Sequence, residues 1–124
     1  MRVIMFQDRF VDLIKSKQKI STIRKKAGCG IGDILSLRRW TGVPRRSKQE
    51  IIVTAVCADV TRVEIYGFRA IRLGSSTLAP SQASALAVRD GFNNDDEMIE
   101  WFDKAYGLPF VGEMIFWRIK DECM

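Results

Sequence analysis

The sequence contains no histidine, and that absence removes more chemistry than any other feature of its composition. Without imidazole there is no usual triad base, no Cys/His zinc ligand set, and no side chain whose ordinary pKa lies near neutrality. Any proton transfer must fall to lysine, a carboxylate, tyrosine or cysteine. Cysteine is scarce too. Cys29, Cys57 and Cys123 are an odd number at unrelated spacings, which predicts reduced thiols and neither a disulfide framework nor a metal site. No apolar run approaches the roughly 18 residues of a membrane span. The opening Met1 to Phe6 is interrupted by Gln7-Asp8-Arg9 too soon for a signal peptide. The expectation is a soluble, cytoplasmic chain with no membrane partner, no cofactor and no metal.

Charge, by contrast, is plentiful and unevenly placed. Residues 1–48 carry 13 Lys/Arg and 3 Asp/Glu, a net +10, whereas residues 49–124 carry 7 and 12, a net −5, for +5 overall. An anionic partner is drawn to the first half, in a field that salt weakens. The 124 residues suffice for one domain, 1–124, with a modest core, and no internal repeat or low-complexity tract divides them.

Val3 to Phe6 reads as an opening strand, and Asp8 is placed to cap the helix that follows. Phe10, Leu13 and Ile14 recur at helical spacing, predicting a helix from Arg9 to Lys17, with Arg9 either reaching over a cleft edge or lying on the surface. The 3.6 period then stops, and β-branched Ile20, Thr22 and Ile23 predict a strand. Alternation puts Thr22 and Arg24 on one face and Ser21 and Ile23 on the other. With Ile23 in the core, Thr22 and Arg24 face a cleft with Lys19 at its mouth. Lys19 to Arg24 thus gathers two cations and two hydroxyls, followed by Lys25-Lys26 and a loop containing Gly28, Gly30 and Gly32.

A strand is predicted over Ile34 to Trp40. Arg38, Arg39, Arg45, Arg46 and Lys48 surround Trp40 in a segment, 38–50, broken by Gly42 and Pro44. Cations interleaved with an aromatic suit a nucleic-acid backbone and a stacked base, though the same composition fits a plain hairpin tip. Ile51 to Val63 is apolar on both faces, as expected of a long buried strand. Residues 67–80 read as an inserted hairpin and loop. Ser81 to Val88 is predicted helical, with Gly91 as its C-terminal cap. Asp90 falls at that helix end, where the dipole raises a carboxylate's pKa, so a neighbouring cation such as Lys19 is expected. Asn94 is placed to cap a last helix with Met98, Trp101, Phe102 and Ala105 as its buried stripe, and Phe110 to Ile119 forms the final strand.

Taken in order, Arg9-Phe10, Leu13-Ile14, Lys19, Thr22-Ile23-Arg24 and Gly32-Asp33 resemble the first motif of the ASCH domain, a family similar to the PUA RNA-binding domains. Ala87 to Phe92, followed by Met98, Trp101 and Phe102, resembles its second motif, so the resemblance spans nearly the whole chain. It implies an α+β, mainly β fold: a small PUA-like barrel of about five or six strands flanked by two or three helices. It also implies a basic cleft that binds RNA or a modified nucleoside around Lys19, Thr22 and Arg24, with Arg9, Ser21 and Lys25 beside them; Arg38, Arg39, Trp40, Arg45 and Arg46, in a segment that looks like an addition to the family's pattern, are further candidate contacts from their composition. A small branch of the family hydrolyses the acetyl amide of N4-acetylcytidine, with a lysine as proton acceptor, a threonine as nucleophile and an acidic residue as proton donor. Those roles would fall on Lys19, Thr22 and Asp90, the last a glutamate in that branch. RNA cleavage, suggested for some ASCH-like proteins, is a third reading. Binding is the leading expectation, and the oligomeric state, monomer or dimer, is left open.

Overall fold

The computed structural model describes residues 1–67 and 70–120. Strand β1 (Arg2–Met5) leads through a 3-10 turn (Asp8–Phe10) into the short helix α1 (Val11–Lys15). Strands β2 (Ser21–Arg24), β3 (Ile34–Trp40), β4 (Gln49–Ile65), β5 (Ile71–Leu73) and β6 (Ser76–Thr77) follow. Helices α2 (Pro80–Arg89) and α3 (Asp95–Tyr106) then precede the last strand, β7 (Phe110–Ile119). The fold is α+β and mostly strand. No helix among the described residues is long and apolar enough to cross a membrane.

The long strand β4 organises the sheet. Rich in β-branched residues, it pairs antiparallel with β3 through its first half, with β7 from Ala55 to Ile65, and with β5 at its end. Its pairing skips Ile52 against β3 and Ala58 against β7. Such bulges bend a strand and re-aim its side chains, which lets one segment serve two differently oriented neighbours. β1 adds parallel to β3, and β2 adds antiparallel to β7.

The expected barrel does not form: the seven strands make an open sheet. No backbone ladder joins β1 to β2, the strands at two of its ends, and each is only four residues long. Arginine side chains span the gap instead. Arg24 Nη2 donates to the Met5 carbonyl at 2.8 Å, and Arg2 Nε donates to the Ala27 carbonyl at 3.1 Å. These two contacts bridge β1 to β2 and to the loop that follows it without a backbone ladder.

The first predicted helix is shorter than its periodicity implies. The 3-10 turn takes its beginning, and Lys17, at φ 69°, ends it. Asp8 makes no cap there; its carboxylate pairs with Arg39 at 3.2 Å. Phe10 and Ile14 are nevertheless buried, as their spacing requires. In α3, Asn94 Oδ1 accepts from the Glu97 amide at 2.8 Å, the cap expected from sequence. The buried stripe is Met98, Ile99 and Phe102; Ala105 is exposed because α3 lies against both α2 and β7, which rotates its apolar face toward Ile99. The 38–50 segment is a hairpin, with Trp40 opposite Gln49 in the register of β3 and β4. The 67–80 segment contributes the small β5–β6 hairpin; Phe68, read from sequence as part of it, lies outside the described residues, as does Cys123. Cys29 and Cys57 are free thiols, and burial pushes Cys57 up to about 11.

Candidate functional site

Lys19 reaches the interior because its backbone is pinned from three directions. Its amide donates to the Leu13 carbonyl at 3.0 Å, the next amide, of Ile20, to Arg89 at 3.1 Å, and the Ile20 carbonyl accepts from Trp117 at 3.0 Å. The segment is thereby held between α1, the end of α2 and β7, and the Lys19 side chain runs inward to an exposure of only 2%. Its ammonium donates to the main-chain carbonyl of Asp90 and lies 3.6 Å from Asp90 Oδ1. It also sits 4.7 Å from the centre of the Phe10 ring and 5.6 Å from that of Phe6. Both rings offer their electron-rich faces to a desolvated cation.

Asp90 closes α2 and is itself buried, 3% exposed. Ser21 Oγ donates to its Oδ1 at 3.1 Å. Gly91, at φ 98°, makes this closeness feasible: a Cβ there would lie 2.8 Å from Phe10 Cδ1 and 3.1 Å from Lys19 Cδ. Thr22 and Arg24 do share a face of β2. Arg24 Nε donates to Thr22 Oγ1 at 3.2 Å, and the guanidinium lies 5.1 Å from the Phe6 ring centre. No hydrogen bond joins Lys19 to Thr22.

Burial governs the protonation of the central pair. It lowers Lys19 from 10.5 to about 8, against the opposing pull of Asp90 and with some help from Arg24. It raises Asp90 from 3.8 to about 6, against Lys19 and the Ser21 hydroxyl. Asp90 therefore shifts in the direction anticipated from sequence, with desolvation as the cause that raises it. Burial also lowers Arg24.

Lys19, Thr22, Arg24 and Asp90 line one cavity of about 140 Å³. Its remaining wall is mostly aromatic, with Phe6, Phe10, Phe92, Trp101, Phe102 and Tyr106. A second, larger groove of about 420 Å³ shares the Met5-Phe6-Gln7 edge and continues to Asp8, Trp40, Gly42 and Pro44.

The other sequence candidates fall elsewhere. Ser21 supports Asp90 from the opposite face of β2. Arg9 lies outside the cavity, paired with Glu97 at 2.9 Å and stacked 4.8 Å from Phe10 and 5.3 Å from Phe92. Lys25 is exposed, 5.6 Å from the rings of Tyr106 and Phe110. Arg38 is engaged by Ser36 and Gln49, and Arg39 by Glu50 and Asp8. Trp40 lines the second groove rather than the cavity, while Arg45 and Arg46 are exposed at the hairpin tip with no ion pair among the described residues. Sequence reading assigns Trp101 to the buried stripe of α3 and gives Tyr106 no role, and so misses both as cavity wall. The rings of Trp101 and Tyr106 both pack against the buried Phe102, 4.9 and 6.1 Å from its centre.

Comparison of the chain with protein-family models, with curated proteins and with solved structures found no match in any of the three.

Proposed function

We propose that this protein is an ASCH-like nucleobase-binding module, acting in the cytoplasm, whose cavity takes a pyrimidine of RNA or of a modified nucleoside. The observation that carries the reading is the composition of one small, aromatic-walled cavity: two cations, a hydroxyl and a carboxylate. A pyrimidine edge presents ring-carbonyl acceptors, which suit the Lys19 ammonium and the Arg24 guanidinium. The exocyclic amine of cytosine is a donor, which suits the Asp90 carboxylate. Size supports a single ring, because a cavity of about 150 Å³ is what accommodates benzene in a protein interior. The aromatic wall supplies stacking faces.

A test is calorimetric titration with cytidine, uridine, adenosine and guanosine. The reading predicts saturable binding of cytidine, weaker binding of uridine, and none of the purine nucleosides. Equal binding of all four, or of none, contradicts it.

A second reading, hydrolysis of the acetyl amide of N4-acetylcytidine, is favoured by the two shifted ionisations. With Lys19 near 8 and Asp90 near 6, a fraction on the order of a tenth of each is neutral lysine or protonated acid at pH 7. Neutral Lys19 would accept the Thr22 proton as Oγ1 attacks the acetyl carbon, and protonated Asp90 would donate to N4 as the C–N bond breaks. Water then hydrolyses the Thr22 ester, releasing acetate. Binding ranks first because the Thr22 hydroxyl is engaged by Arg24 and makes no hydrogen bond to Lys19. Acetate release that is lost in Thr22→Val, with cytidine binding retained, would reverse that order.

A further inference from the structure

The second groove shares Met5, Phe6 and Gln7 with the lining of the cavity and has Trp40, Gly42 and Pro44 of the β3–β4 hairpin in its wall. We propose that this groove is a subsite for the nucleotide flanking the bound base, so that the ligand is single-stranded RNA rather than a free nucleoside. The inference rests on the nucleobase reading of the cavity and extends it.

Three features of the groove point to that occupant. Its volume, about 420 Å³ against about 140 Å³ for the cavity, has room for a base with its sugar. Trp40 is half-buried and forms part of its wall, and an indole face stacks any base without demanding a sequence. A phosphate leaving the groove past Pro44 would meet the cations that follow it at the hairpin tip. Arg45 and Arg46 stand exposed at the hairpin tip with no ion pair among the described residues. The acid on the groove wall, Asp8, is offset by Arg39 at 3.2 Å. Arg39 and Arg38 are themselves held by partners on the hairpin stem. Those interactions fix the stem that carries Trp40, while the tip arginines remain available.

The hairpin register reinforces the arrangement. Trp40 is the last residue of β3 and pairs with Gln49, so its backbone is set by the sheet. The tip beyond it is tied by Thr41 N to Lys48 O at 2.9 Å and by Gly42 N to Ser47 Oγ at 3.0 Å. The platform is thus anchored before ligand arrives, which limits the entropy that binding must overcome.

The experiment compares cytidine, the dinucleoside monophosphate CpC and a cytidine pentanucleotide on wild type, Trp40→Ala, Trp40→Phe, and the double variant Arg45→Gln/Arg46→Gln. Wild type is expected to bind CpC roughly five- to hundredfold more tightly than cytidine, the range that stacking one base supplies. Trp40→Ala should erase that advantage with cytidine affinity unchanged, and Trp40→Phe should restore part of it. The double arginine variant should flatten the salt dependence of pentanucleotide binding, by about 0.7 in log–log slope for each phosphate that is no longer neutralised. If cytidine binds but Trp40→Ala leaves the CpC advantage intact, the groove inference is overturned while the cavity reading stands. If neither cytidine nor CpC binds, the cavity reading falls and takes the inference with it. Tight pentanucleotide binding with no cytidine binding would also overturn it, because the groove would then be acting alone.

Discussion

Two basic regions of this molecule carry similar charges under opposite conditions. Around Lys19 the charges are buried, held by few partners, and displaced from their ordinary protonation by desolvation. Along the 38–50 hairpin they are solvated, either tied into surface pairs such as Arg39 with Asp8 and Glu50 or left open at Arg45 and Arg46. The first arrangement is costly to build and sensitive to every atom, since an ion taken out of water must recover its hydration from fixed neighbours. The second costs little and contributes mainly long-range attraction. On the proposed reading, the buried cluster would supply specificity and the exposed arm capture.

The sharpest break in that comparison is Lys19→Met, which strands Asp90 in the interior. It should destabilise the fold by about 3–5 kcal/mol at pH 8, read from the urea midpoint, with a smaller loss at pH 5 where Asp90 can protonate. An equal loss at both values would mean that the two groups are not coupled. Gly91→Ala should cost about 1–3 kcal/mol, from the strained φ and the collision with Phe10, and should weaken ligand binding by displacing Lys19.

Protonation gives a third test. Asp90 has a raised folded-state pKa, so between about 4 and 6 the native chain holds more protons and stability falls as pH rises. Lys19 has a lowered one, so between about 8 and 10.5 the unfolded chain holds more protons and stability rises with pH. Relative to a Lys19→Met/Asp90→Asn double variant, wild type should therefore be least stable between about pH 6 and 8. A flat difference across pH would contradict the shifted pair. The smallest effect belongs to the hairpin: Arg39→Ala should leave the urea midpoint unchanged within error, since its partners are solvated.

Much of this contrast is legible in the amino-acid sequence. Thr22 and Arg24 share a face because strands alternate, Asn94 caps because its amide fits the first turn, and Phe10 with Ile14 faces inward because helices repeat every 3.6 residues. The pairing of Lys19 with Asp90 also follows, from the discomfort of a carboxylate at a helix end. Local pattern does not carry the features set by tertiary packing. The open seam, bridged by Arg2 and Arg24 side chains, lies between strands that local pattern treats as ordinary. Two bulges in β4 change which of its apolar residues point inward, and no periodicity announces where a ladder skips. Alternation assigns Ser21 to the core face and it is there, yet its hydroxyl supports the site through that face. Trp101 reads as core because an aromatic stripe signals burial and not the cavity it borders, and Tyr106, off that stripe, carries no signal of its own.

The most direct measurement is cytidine affinity in wild type and Arg24→Gln, a substitution that removes the charge from the cavity wall while leaving Lys19 and Asp90 paired. Circular dichroism would verify that both remain folded. The account predicts saturable cytidine binding by wild type and at least a tenfold loss in Arg24→Gln. Undiminished binding in the variant, or no binding by wild type, would contradict the assignment of this cavity to a nucleobase.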